Sequence, residues 1–149
     1  GRIFENCDNL YDLYVQNNKS ITGTLPDLSS NFNIRTLNFS STNLYTGLDK
    51  IASLPNLYYL GISSCKFSTM PIFTTPRLMY FYAQDNEFTG ILPEFETPLL
   101  INFYAYNNDF SGSIPNFGNS PNLQRLALNN NTFAGYTPGA LSTNKNLRQ

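Results

Sequence analysis

A repeated pattern of apolar residues constrains the fold of this chain more than any other feature. Each copy has an apolar residue, a second one three positions later and a third one two positions after that. The copies start 21 to 24 residues apart. Self-similarity at such a period predicts a solenoid, in which each unit buries its apolar face against its neighbours. The copies begin at Leu10, Ile34, Leu57, Leu78, Leu100 and Leu123, and a further one starts at Leu147.

Within each copy, the alternation of apolar and polar residues predicts a short strand with one buried face. The ninth position is Asn in four copies, and it is Thr or Cys in the other two. An inward carboxamide there can hydrogen-bond backbone groups of its own turn and of the next repeat. We therefore expect a buried ladder of polar side chains. Thr42 and Cys65 are expected to make these backbone hydrogen bonds less well than Asn does. The ladder positions are Asn18, Thr42, Cys65, Asn86, Asn108 and Asn131.

Two residues beyond the ladder position, a second apolar position predicts a stacked spine. A Gly and then a Pro follow in most copies, which favours a turn and an extended return segment over a helix. Residues 48–55 lack this return, and we expect a short helical turn there. The spine residues are Leu44, Phe67, Phe88, Phe110 and Phe133.

The run Phe-(Thr/Ser)-Gly-x-(Ile/Leu)-Pro-x-Phe, at residues 88–95 and 110–117, resembles the plant-type subclass of leucine-rich repeats. In that family this subclass occurs in extracellular receptors and inhibitor proteins. The chain is also similar to repeats of bacterial and viral surface proteins, including phage structural proteins. The resemblance implies an α/β-type solenoid of about six repeats, with short parallel strands on the concave face and mostly extended or irregular convex segments. It specifies the fold far more than the function.

We expect residues 1–149 to be a single solenoid segment that belongs to a longer array. Arg2–Phe4 aligns with residues 71–73, the end of a repeat, and residues 146–149 begin another strand. Neither end has the capping segment with which solenoids cover their exposed core. The alternative is a chain that oligomerises through its ends.

Composition and missing motifs argue against catalysis. The chain has no His, which removes the commonest general base and metal ligand, and it lacks Gly-x-Ser-x-Gly, phosphate-binding and Cys-x-x-Cys motifs. Asp85, Glu87 and Asp109 could be imagined around a metal, but a surface ion pair of Lys66 with Glu87 is the better interpretation. A net charge of −1 gives the chain no overall electrostatic attraction for nucleic acid. We expect no enzyme activity, no cofactor, no metal site, no nucleic-acid partner and no membrane insertion of this segment.

The two cysteines and three glycosylation sequons carry weaker signals. Cys7 and Cys65 are more than two repeats apart, too far to pair in a solenoid, so we expect both to be free and buried. Sequons stand at Asn18, Asn38 and Asn130. We expect Asn18 to be buried in the ladder and the other two to be exposed.

Tyrosine is concentrated at the outward positions of the third to fifth predicted strands. Strands about 4.8 Å apart would bring these side chains into one patch, with Tyr58 alongside and with Asp85, Asn102 and Asn107 at its rim. Tyrosine couples a large apolar surface to a hydroxyl at low entropic cost, which suits a binding site. The alternative is cross-strand pairing that only stabilises the sheet. The patch consists of Tyr59, Tyr80, Tyr82, Tyr104 and Tyr106.

Two functional hypotheses follow from this surface. The first is a non-enzymatic recognition module that presents a Tyr/Asn-rich concave face to a protein or carbohydrate ligand. The second is a structural repeat element of a larger assembly, such as a virion appendage or a cell-surface fibre, that contacts neighbouring subunits. Both imply an extracellular, cell-surface or virion-exposed location.

Overall fold

Short parallel strands, one from each repeat, form the principal sheet of this protein. The computed structural model describes residues 7–148, so the expected repeat end at Arg2–Phe4 lies outside the described residues. In chain order the strands are β1 Asp12–Tyr14, β2 Thr22–Thr24, β3 Thr36–Asn38, β4 Asn43–Thr46, β5 Tyr59–Gly61, β6 Tyr80–Tyr82, β7 Thr89–Ile91, β8 Asn102–Tyr104, β9 Asp109–Ile114, β10 Arg125–Ala127 and β11 Thr132–Tyr136.

The principal sheet has six strands in the order β1-β3-β5-β6-β8-β10, all parallel. Its register matches the repeat, because equivalent residues of successive copies lie opposite each other, as Leu60, Phe81 and Phe103 do. These three side chains are fully buried, whereas their strand neighbours face outward. The predicted solenoid of about six repeats is confirmed.

Two smaller parallel sheets, which the sequence pattern did not predict, lie just beyond the ladder positions. One pairs β2 with β4, and the other has the order β11-β9-β7. They are formed by the segments that contain the predicted Gly turns. The sequence predicted a turn at the glycines and an extended segment only at the prolines that follow, so strands that include Gly23, Gly90 and Gly112 were not expected.

The aromatic spine is present as predicted. The ring centroids of Phe67 and Phe88 lie 6.3 Å apart, those of Phe88 and Phe110 5.5 Å, and those of Phe110 and Phe133 6.3 Å. The planes of each pair are within 12° of parallel, because the same side chain recurs at the same position one repeat later. A second buried aromatic cluster lies behind the principal sheet and consists of Phe73, Phe81, Phe95, Phe103 and Phe117.

The polar ladder connects successive repeats, and Asn108 shows how. Its Nδ2 donates to the carbonyl oxygens of Ala83, Ala105 and Tyr106, at 3.1 to 3.2 Å, and its Oδ1 accepts from the N–H of Phe88 at 3.1 Å. Asn86 and Asn131 make equivalent bonds. One buried carboxamide thus satisfies backbone groups of two repeats.

The other ladder positions depart from this arrangement. Thr42 Oγ1 donates to the Phe39 carbonyl at 2.8 Å, and Cys65 Sγ donates to the same carbonyl at 3.2 Å. The expected burial of Asn18 is wrong. Its side chain is exposed and bonds only to the carbonyls of Val15 and Gln16, because β1 is an edge strand among the described residues.

The helical turn and the two cysteines were also predicted from the sequence, and the prediction for Cys7 is wrong in part. The predicted helical turn is present as a 3-10 helix, Leu48–Lys50, which follows Gly47 in the left-handed region at φ 98°. Both cysteines are free, and Cys65 is buried as expected, but Cys7 is exposed. Cys7 precedes the edge strand β1, and the described repeats do not cover its side chain.

Candidate ligand-binding face

The strand register places all five predicted tyrosines on the outward face of the principal sheet. Tyr59 of β5 lies opposite Tyr80 of β6, and Tyr82 of β6 lies opposite Tyr104 of β8. Tyr106 follows two residues after Tyr104, on the same side of the alternating chain. All five are half-buried, so each ring presents part of its surface to solvent. We call these five residues the tyrosine face.

Tyr82 is the centre of the tyrosine face. Its ring centroid lies 5.5 Å from that of Tyr59 and 5.2 Å from that of Tyr104. Tyr104 in turn lies 6.4 Å from Tyr106. Tyr80 contacts the exposed Tyr58 instead, edge to face at 5.3 Å. These spacings are those of stabilising aromatic pairs, so the rings hold one another in place.

Asn102 lies within the face, not at its rim as expected from the sequence. It is only 5% exposed, and its Nδ2 donates to Tyr82 Oη at 3.3 Å. Its Oδ1 is buried and has no hydrogen-bond partner among residues 7–148. The outward register position identified Asn102, but register cannot show that the Tyr82 side chain leans over it.

A chain of hydrogen bonds forms one border of the face. Asn130 Nδ2 donates to Asn107 Oδ1 at 2.7 Å, and Asn107 Nδ2 donates to Asp85 Oδ1 at 2.6 Å. The three residues occupy the same repeat position, each with φ between 53° and 58°. Asn and Asp tolerate this left-handed conformation better than most residues. All three are exposed, so the predicted border residues Asp85 and Asn107 are indeed brought together.

Asn38 was not among the predicted site residues, and the expectation that it is exposed is wrong, although it lies in the outward row of the sheet. Asn38 is half-buried, its Oδ1 accepts from the N–H of Ser40 at 3.1 Å, and its side chain covers Gly61. A Cβ at Gly61 would lie 2.8 Å from Asn38 Oδ1. Gly61 lies between Asn38 and Tyr82 in one outward row. Its lack of a side chain is the feature of the sequence that could have assigned Asn38 to the face.

The environment of the face raises the pKa of Tyr59 above its ordinary value of 10.0. Burial is the main cause, and the Coulombic effects of Tyr82 and Tyr14 add to it. The pKa of Tyr58 is also raised, by burial and then by a hydrogen bond with Tyr80. Neutral phenols are therefore favoured in the folded protein, and their contribution to stability is present below pH 10 and is lost as pH rises through the folded pKa.

Replacing Tyr82 with Phe is expected to lower the pKa of Tyr59 towards its ordinary value, because a neighbouring phenol that ionises is removed while the ring remains. Ultraviolet titration of the phenolates, or NMR of labelled tyrosine rings, measures the shift. Tyr45→Phe, on β4 of a different sheet, is the control. An unchanged Tyr59 pKa in the Tyr82 variant would show that the two side chains do not interact as described.

Metal-binding clusters and membrane-spanning helices were sought among the described residues. Within residues 7–148, no three His, Cys, Asp or Glu side chains are grouped closely enough to hold a metal ion. Across the same described range, no helix has both the length and the apolar character needed to cross a bilayer. The tyrosine face can contact a ligand through aromatic rings, through hydrogen bonds from Asn and Tyr, and through the charge of Asp85.

Comparisons with known proteins identify solved structures that have a similar fold. No protein-family profile and no curated protein sequence matches the chain. Among solved structures it is similar to a TDR receptor, with a TM-score of 0.82 and 30% identity over 93% of this chain and 25% of that one. It is also similar to the LRR ectodomain of the receptor kinase SOBIR1 from Arabidopsis thaliana, with a TM-score of 0.72 and 25% identity over 84% and 73%.

A third structure is the plant peptide hormone receptor RGFR1 in complex with RGF2, with a TM-score of 0.66 and 24% identity over 94% of this chain and 27% of that one. At that identity the likeness concerns the fold alone. The chain spans about a quarter of the length of the TDR and RGFR1 chains.

Proposed function

Because this chain is a leucine-rich-repeat solenoid of the plant type, we propose that it is a non-enzymatic recognition module that binds a peptide segment of a protein ligand on its tyrosine face. The location that suits this role is extracellular. The TDR receptor and the SOBIR1 ectodomain, to which the chain is similar, support a receptor role over a structural role in an assembly.

The observation that carries the proposal is a contiguous set of half-exposed tyrosines around Tyr82. Each ring is held by another ring, so little side-chain freedom remains to be lost when a ligand binds. Tyrosine is enriched at interaction hot spots because it offers both apolar area and a hydroxyl. A row of such rings across three adjacent strands suits an extended segment lying across them.

Asn102 adds a polar feature to this surface. A buried acceptor without a partner costs about 1–3 kcal/mol, and Asn102 Oδ1 is such an atom. A ligand N–H group would satisfy it if the Tyr82 side chain moved from its position over Asn102. A peptide backbone supplies N–H groups at regular intervals, whereas a purely apolar ligand supplies none, so Asn102 favours a ligand with hydrogen-bond donors, such as a peptide.

The experiment is selection of a random dodecapeptide library on the intact chain, followed by calorimetry with the enriched peptides. We expect Tyr82→Ala and Tyr104→Ala each to weaken binding by about tenfold or more, the effect typical of a hot-spot residue. Tyr45→Ala, which removes a tyrosine that is 52% exposed but lies on β4, is expected to leave affinity unchanged.

Circular dichroism shows whether each variant keeps its fold. If folded Tyr82→Ala and Tyr104→Ala proteins bind the enriched peptides as tightly as the unmodified chain, the tyrosine face is not the binding surface. The aromatic cluster would then serve only cross-strand stabilisation.

A further inference from the structure

The charge around the tyrosine face is unevenly distributed. Asp85, Glu87 and Asp109 are exposed where the chain leaves the strands β6 and β8. Lys66 is exposed at the position of Glu87 one repeat earlier and forms no ion pair with it, and Arg125 lies at the start of β10. Asp85 is the one that adjoins the tyrosines, since its N–H donates to the carbonyl of Tyr106 at 3.1 Å. One border of the face is therefore negative.

Asp85 is held in a defined position with part of its carboxylate free. Its Oδ1 accepts from Asn107 Nδ2, and Asn107 is itself anchored by Asn130. Its Oδ2 makes no hydrogen bond to the described residues. A carboxylate oriented through one oxygen and open at the other can accept a charge-assisted hydrogen bond without first losing side-chain freedom.

The neighbouring rings favour the same kind of group. The face of a tyrosine ring is electrically negative and attracts a cation placed within about 6 Å of its centroid. Tyr104 and Tyr106, with centroids 6.4 Å apart, are both partly exposed. An alkyl chain that ends in a cation can cover their surface with its apolar part and direct its charge to the border.

We propose that the tyrosine face selects a ligand with an arginine or lysine side chain, which lies over Tyr104 and Tyr106 with its charge at Asp85. This preference rests on the proposed function, which it refines by naming the chemistry of the ligand. A neutral or acidic side chain would leave the negative border unmatched, so the same surface discriminates against such ligands.

The test uses two small probes, N-acetyl-arginine methylamide and its citrulline counterpart, which has nearly the same shape without the charge. NMR of labelled tyrosine rings follows both titrations of the intact chain. The arginine probe is expected to shift the Tyr104 and Tyr106 signals and to bind about tenfold more tightly than the citrulline probe.

Asp85→Asn keeps an acceptor for Asn107 and removes the charge, so it is expected to abolish the difference between the two probes. Glu96→Gln removes an exposed carboxylate from a return segment and is expected to preserve the difference. Equal binding of the probes, no shift of either ring, or a difference that survives Asp85→Asn would each overturn the preference.

The library selection separates this preference from the proposed function. Enriched peptides that require Tyr82 but lack a basic residue would overturn the preference and leave the recognition function intact. Arginine selectivity that persists while no peptide depends on Tyr82 would support the preference and overturn the peptide-binding function.

Discussion

Replacing Asn108 with Ala is expected to destabilise the protein by about 3 kcal/mol. The substitution leaves the Phe88 N–H without its partner, and it removes one of the two donors to the Ala83 carbonyl, which keeps Asn86 Nδ2 at 3.2 Å. A buried N–H left unsatisfied costs about 1–3 kcal/mol and each lost bond about 1 kcal/mol, and the 7% exposure of Asn108 shows that water has little access to replace these bonds. Urea unfolding followed by circular dichroism measures the change.

Asn18→Ala is the matched control, because Asn18 occupies the same repeat position. Its carboxamide is exposed and bonds only to two nearby carbonyls of its own turn. We expect a loss below about 1 kcal/mol there, as for an ordinary solvent-accessible hydrogen bond. A similar loss for both variants would contradict the view that the ladder stabilises by joining successive repeats.

The difference between these two asparagines shows what a repeat pattern predicts and what it does not. The period gives Asn18 and Asn108 the same role. It correctly predicts that Asn108 bonds to its own turn and to a neighbouring repeat, but that repeat is the preceding one and not the next one. Burial, however, depends on what is packed on each side of a repeat, which the pattern of one repeat cannot encode. Cys7 is exposed for the same reason, although the equivalent Thr75 and Thr97 of later repeats are buried.

The smaller sheets were missed for a different reason. Side-chain alternation predicts a strand when one face is buried, but all three residues of β7, Thr89–Ile91, are exposed. Its pairing with β9 is a backbone interaction that follows from stacking equivalent segments of successive repeats. Such pairing leaves no apolar alternation in the sequence.

Prediction of the candidate site was more successful at the level of the backbone than of the side chains. Alternation in β6 and β8 places Tyr80, Tyr82 and Tyr104 on one face in any solenoid with this register. The position of Asn102 beneath Tyr82 depends on side-chain rotamers, which have no signature in the spacing. The recognition function rests mainly on such side-chain detail, so fold alone does not specify it.

Replacing Phe103 with Ala is expected to have the largest effect of any single change considered, a loss of about 4 kcal/mol in the free energy of unfolding. Phe103 is fully buried, and its ring centroid lies 5.2 Å from those of Phe81 and Phe95. The substitution removes apolar contacts and leaves a cavity that rings on adjacent repeats cannot readily fill.

Denaturant unfolding measures this loss against Phe32→Ala, which removes a ring that is 61% exposed and is expected to cost no more than about 0.5 kcal/mol. Comparable losses would show that the aromatic core is loosely packed.

Phe103 also connects the core to the tyrosine face, because it lies between Asn102 and Tyr104 in β8. The milder Phe103→Leu substitution, if folded, is therefore expected to weaken the binding of enriched peptides through a shift of these two neighbours.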